Sequence, residues 1–351
     1  MDARSLLEGP RGRRFCLEFT AAHTGPAVEA LQQVVFYASH LREANGTAAI
    51  FATGAGSPEP WPEPSTGDVA EALAAVPLAT PDDATVLRTL AAVVDSARYW
   101  QEPDGTDALL SEPEINPGLE RIATHLAASP STSWLSEPAA PRQFTVIFDE
   151  SVRGEPVAAR DALNDWRDKQ IAGEEQARRE RPLDPTANWS GEWWSTPAWP
   201  LTSSTRALPA LGPVGLSLVE DSMGWAHAVA AEVEHPQAAR VLEITGAGVW
   251  ADLCRAYPLD VTASRRHDWF RATGRHGDWV IPDWSLVARD ADAVHLTAAA
   301  YLSAAGTAIP VDAERASVIG GFAPDITYWL TDIATHPGTP WTLNEQTERW
   351  S

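Results

Sequence analysis

The 351-residue chain predicts an α+β protein, with a mainly helical N-terminal region followed by a mixed α/β C-terminal domain. Two patterns carry the prediction. Apolar residues recur at helical spacing through most of the first 140 positions, and beyond residue 205 short apolar runs alternate with helical segments. A third observation bounds it. With 44% hydrophobic and 21% charged residues, the chain has enough apolar surface to offset the entropy of ordering. Chains of this length hold about two domains on average. The expected division is a helical region at 1–140, a strand, charged helix and Trp-rich connecting segment at 141–205, and the α+β domain at 206–351.

In chain order, residues 14–20 alternate and predict a strand. Residues 27–43 place Val28, Leu31, Val34, Val35 and Leu41 at helical spacing. Residues 54–68 are rich in Pro, Gly and Ser and predict a loop. Segments 69–76, 84–99 and 119–127 read as helices, the second opened by Asp82 and Asp83, which suit an N-cap. Residues 144–148 predict a strand and 158–180 a charged helix. The stretch 182–200 combines turn residues with Trp189, Trp193, Trp194 and Trp199. Beyond it, strands are expected at 214–219, 240–244, 293–299, 317–320 and 326–330, and helices at 225–233 and 249–257. Residues 258–284 read as a long irregular connection, a kind of segment that often carries function.

The net charge of -22 repels phosphate backbones and anionic lipid, so nucleic acid and membrane surfaces are disfavoured partners. No run approaches the ~20 apolar residues of a membrane span, and the first residues lack a signal-peptide core. A cytoplasmic location is the resulting expectation. Cys16 and Cys254 have no Cys or His at metal-ligand spacing, so no metal is expected and buried free thiols are. Of the 26 basic residues only Lys169 is a lysine, so the cations are mostly planar arginine forks suited to carboxylate or phosphate.

The densest functional signal lies at 265–284. Arg265, Arg266, Arg271 and Arg275 stand with His267 and His276, interleaved with Trp269, Trp279 and Trp284. Arginine forks bind anions bidentately, and flat aromatics stack on rings. The mixture suits a small anionic or nucleotide-like substrate. The alternative is that these arginines pair with Asp268, Asp278 and Asp283 and that the tryptophans are core anchors.

Asp292 and His295 form an Asp-x-x-His block that resembles the C-terminal block of SGNH hydrolases. That resemblance implies His295 as a general base oriented by Asp292. Ser151 is the nearest nucleophile, but its turn reads Asp-Glu-Ser instead of Gly-Asp-Ser. Glu220 and Asp221 follow an expected strand and are either helix caps or a carboxylate pair for acid–base chemistry. Arg206 and Glu243 are similar to the early Arg and late Glu of ADP-ribosyltransferases, although no Glu-x-Glu pair accompanies them. Gly246–Gly248 lies between a strand and a helix, too short for a dinucleotide fingerprint. No cofactor is indicated. Two function classes stay open: an enzyme acting on a small anionic substrate, with His295, Asp292, Glu220 and Asp221 as catalytic candidates, or a non-catalytic interaction protein that meets a protein partner through its tryptophan-rich surface.

Overall fold

Proline at the first helical position and short acidic or hydroxyl caps set the helix starts of the N-terminal region. In the computed structural model, which describes residues 1–43, 61–148, 157–220, 224–234, 236, 238–344 and 346–351, α1 (Ala3–Glu8) is capped by Asp2. Prolines open α2 (Pro10–Ala21) and α3 (Pro26–His40). Ser65 and Asp68 form a reciprocal capping box on α4 (Thr66–Ala75). Asp82 caps α5 (Asp83–Asp95), and Asp104 caps α6 (Gly105–Leu110). The region closes with α7 (Asn116–Ala127) and a 3-10 helix, Pro130–Ser136.

The remainder carries most of the strands. It begins with β1 (Gln143–Phe148) and the long α8 (Ala159–Glu180). Next come β2 (Ser203–Leu208), β3 (Gly212–Pro213), β4 (His227–Glu234) and β5 (Val241–Ile244). Helices and strands then alternate as α9 (Ala247–Ala256), β6 (Pro258–Asp260), α10 (Thr262–Thr273), β7 (Asp278–Pro282), α11 (Trp284–Val287), β8 (Ala293–Leu296) and α12 (Ala298–Ala304). The chain ends in β9 (Ile309–Pro310), β10 (Arg315–Ser317), β11 (Thr327–Trp329), β12 (Ala334–Thr335), β13 (Thr339–Asn344) and β14 (Arg349–Trp350). The large sheet runs β14-β13-β4-β1-β2-β11-β8-β5, with β12 on β4 and β3 on β2, and a smaller sheet runs β6-β7-β10-β9. Only β5–β8 and β7–β10 pair in parallel among the described strands.

The α+β expectation therefore holds, with helices mostly N-terminal and strands mostly C-terminal. Several elements differ from it. Residues 14–20 are helical within α2, because Arg11, Phe15 and Phe19 share one buried helical face. Residues 227–234 form strand β4 and not a helix. Its alanines carry helix propensity, but pairing with β1 on one side and β13 on the other overrides it. Residues 214–216 make a 3-10 turn in place of the expected strand. Residues 258–284 are regular, folding as β6, α10 and β7. The expected loop at 54–68 lies partly outside the described residues and ends inside α4.

Buried residues from Leu6 to Leu330 form one continuous apolar cluster. The N-terminal helices meet the sheet region through α12, which packs on α1 and α2. Gly12 permits this approach: a Cβ there would lie 1.6 Å from the Leu6 carbonyl oxygen and 3.1 Å from that of Leu302.

Candidate functional site

Strands β5 and β8 run parallel with Glu243 opposite His295, and antiparallel β11 places Thr327 opposite the same histidine. Directly opposed residues share a sheet face, so these three side chains form a row. His295 Nδ1 is 2.6 Å from Glu243 Oε2, and Nε2 is 3.3 Å from Asp325 Oδ1. Asp325, in the turn before β11, also accepts from the Arg206 backbone N–H at 3.0 Å and from Arg206 Nε at 2.7 Å. The rest of the Arg206 guanidinium donates to Glu137 Oε2 and to the carbonyls of Glu137 and Pro138. The far oxygen of Glu243 accepts from the Ala139 N–H at 2.9 Å. Asp325 holds φ at +60°, a conformation that costs a non-glycine residue energy and tends to be kept where surroundings demand it.

Both ring nitrogens of His295 face carboxylates, and ionised carboxylates only accept. The ring satisfies both contacts when both nitrogens carry protons. Burial alone would favour the neutral ring. The hydrogen bonds to Asp325 and Glu243 outweigh it and lift the proton affinity above the ordinary histidine range. His295 and Asp325 are buried, while the Glu243 side chain keeps 27% exposure and is the solvent-facing end of the row. Two buried polar atoms have no hydrogen-bond partner among the described residues here: Thr327 Oγ1, and Nε1 of Trp134, whose ring lies 5.8 Å from the Arg206 guanidinium. Folded proteins leave few such atoms, so both have bonding capacity to spare.

A cleft of about 460 Å³ is lined by Asp2, Ser5, Ser136, Thr245, Thr297 and Ser303 among others. Thr245 and Thr297 sit two residues beyond Glu243 and His295, on the same face, at the carboxyl ends of the parallel strands. Ligands of α/β sheets bind at such ends. From Thr245 the chain turns through Gly246 into α9, whose start has no side-chain cap. The first intrahelical bond there is Trp250 N–H to Gly246 O, so the preceding amides lack intrahelical partners. A Cβ at Gly246 or Gly248 would meet nothing within 4 Å.

The arginine-rich segment lies elsewhere, and its cations are engaged internally. Arg265 is buried and contacts Glu192 at 2.9 Å and Gln170 at 2.6 Å. Arg266 donates to the Pro182 carbonyl. Arg271 donates to the carbonyls of Trp100 and Trp189 and pairs with Asp268. Arg275 donates to the carbonyls of Asp278 and Glu314 and lies over Trp279. Trp269, Trp279 and Trp284 are core residues; Trp269 and Trp284 donate to the carbonyls of Trp193 and Ser195. His276 packs against Phe270 with the ring planes tilted by 60°. His267 is buried, and neither ring nitrogen has a partner among the described residues; desolvation, with Arg266 and Arg181 nearby, lowers its proton affinity.

The expected Asp292–His295 pair does not form. Asp292 is bonded to Arg240, at 2.7 Å, and it is Glu243 and Asp325 that hold His295. Glu220 accepts from the Tyr99 hydroxyl at 2.8 Å, within a buried tyrosine cluster. Asp221 and Ser151 lie outside the described residues. Arg206 and Glu243, read from sequence as members of one site, are joined through Asp325 and His295. Asp325 and Glu137 carry no sequence signal beyond the Pro324-Asp325 turn and the Glu137-Pro138 break. Among the described residues no group of three or more His, Cys, Asp or Glu is placed to hold a metal, and no helix is long and apolar enough to cross a membrane. No family model, curated protein or solved structure matches the chain.

Proposed function

We propose that the protein is an enzyme that moves a proton on a small polar substrate seated in the cleft at the ends of β5 and β8. The observation that carries this reading is the Glu243–His295–Asp325 row, buried at Asp325 and partly exposed at Glu243, with Glu243 and His295 two residues before the cleft-lining Thr245 and Thr297. Glu243 is the group within reach of a substrate, and His295, Asp325 and Arg206 are positioning residues that fix its orientation and charge. The unblocked amides at the start of α9 and the open space at Gly246 and Gly248 favour a substrate with an anionic group. Compared with the reading from sequence, the substrate class is kept and its seat moves from the arginine-rich segment to the cleft. Two free buried cysteines suit a reducing compartment such as the cytoplasm.

A thermal-shift screen of small phosphorylated and carboxylated compounds tests this. A ligand should stabilise the wild type but not Thr245→Trp, which places a bulky ring in the cleft that Thr245 lines. Glu243→Gln should retain the thermal shift and lose turnover by at least about a hundredfold, the usual contribution of a positioned acid–base group. If no compound shifts the wild type, the reading is dropped. If Arg271→Ala abolishes the shift and Thr245→Trp does not, the site belongs to the arginine-rich segment.

A second reading, a protein-binding role, is favoured by Trp199 and Leu183, which are 92% and 79% exposed. A partner that co-elutes with the wild type and not with Trp199→Ser would support it.

A further inference from the structure

We propose that residues 137–139 form a proton-operated strap at the wall of the cleft, closed while the His295 ring carries both of its protons and released when it loses one. The strap continues from the 3-10 helix Pro130–Ser136, whose last residue lines the cleft. It is fastened at two points. Arg206 donates to Glu137 Oε2 at 2.8 Å and to the carbonyls of Glu137 and Pro138 at 3.2 and 2.9 Å. One residue further on, the Ala139 N–H donates to Glu243 at 2.9 Å. Asp325 and His295 join the two fastenings across the sheet.

The charged groups facing His295 come from four elements. Glu243 is on β5, Asp325 is in the turn before β11, Arg206 is on β2, and Glu137 follows the 3-10 helix. Asp292, just ahead of β8 itself, is engaged by Arg240. With both ring protons in place, three carboxylates face two cations; after one proton leaves, they face a single arginine. A neutral imidazole also turns one lone pair toward a carboxylate. Nδ1 keeps its proton, because among the described residues Glu243 accepts from fewer other donors than Asp325 does. The excess negative charge then has to be relieved. Asp325 is buried and Glu243 is held in β5, whereas the Glu137 side chain is 54% exposed and reaches water at least cost. Glu137 therefore leaves first and loosens the strap from Arg206. The His295 proton is held above the ordinary histidine value, so release falls on the alkaline side of about pH 6.5.

The strap does not require the cleft to be an active site, because its opening is followed without any ligand. Hydrogen exchange of full-length protein is measured from about pH 6 to about pH 9 and corrected for intrinsic rates. Protection of the peptide spanning 136–140 should fall severalfold across this range, in the direction set by the raised proton affinity of His295. A peptide from the β1–β4 ladder should stay constant. In Glu243→Gln the amide oxygen can still accept from Ala139, but the ring has lost one carboxylate, so release should move to lower pH. Constant protection of 136–140 in the wild type overturns the strap. So does a Glu243→Gln release at the same pH as wild type. If that variant fails to fold, the wild-type series alone decides.

Discussion

At the residue scale, two buried histidines have proton affinities shifted in opposite directions by what surrounds them. His267 has no partner for either ring nitrogen among the described residues; desolvation, with Arg266 and Arg181 nearby, lowers its proton affinity. The unfolded chain then takes up the proton more readily, and stability falls as pH drops through and below the unfolded value of ~6.5. His295 has the opposite sign. Its stabilisation is fully present below ~6.5 and is lost as pH rises through its raised folded value. Replacing His267 with Leu removes two unsatisfied buried atoms. The variant should lose much of the acid-side slope in urea unfolding between about pH 7 and about pH 5; an unchanged slope would assign the acid sensitivity to other groups. In the sequence His267 stands between Arg266 and Asp268 and His295 between Val294 and Leu296, which does not give the direction of either shift, because the partners of His295 come from residues 52 and 30 positions away.

At the element scale, the most informative case is α10. From sequence, 258–284 is an irregular connection rich in arginine; in the fold it is two strands and a helix. The missing information is a cap supplied from a distance. Glu174, in the buried face of α8, accepts the N–H groups of Ala263 and Ser264 at 2.9 and 2.8 Å, satisfying the first turn of α10. Glu174→Ala should cost about 1–3 kcal/mol, read as a lower thermal midpoint, and Glu174→Gln should recover part of it. Equal loss in both variants would mean that the charge, not the cap, matters. Elements that announce themselves locally are legible in the sequence: α3 by its apolar spacing, α5 by its Asp82 cap, and β1 and β5 by short apolar runs. Residues 14–20 and 225–233 are not. A seven-residue stretch buried over a wide helical face mimics alternation, and an alanine-rich strand looks helical until its two neighbours are known.

At the scale of the whole molecule, a chain of net charge -22 buries three of its arginines among the described residues. Arg11, Arg206 and Arg265 are each at most 5% exposed, and each is matched by acceptors from distant parts of the sequence. The arginines at 265–284 are likewise engaged within the protein, Arg265 with Glu192, Arg266 with the Pro182 carbonyl, Arg271 with the Trp100 carbonyl and Arg275 with the Glu314 carbonyl. The same internal pairing leaves the site half legible. Glu243, His295 and Arg206 stand out as polar residues in or beside strands, while their union depends on the β5-β8-β11-β2 order, which only the sheet reveals. Both the proposed chemistry and the strap depend on the proton sitting where the geometry puts it. A long-range proton–nitrogen NMR spectrum of the nine histidine rings at about pH 6.5, the unperturbed histidine value, addresses this directly. His295 should show two protonated nitrogens and His267 a neutral ring. A neutral His295 at that pH would contradict the charge assigned to the Glu243–His295–Asp325 row.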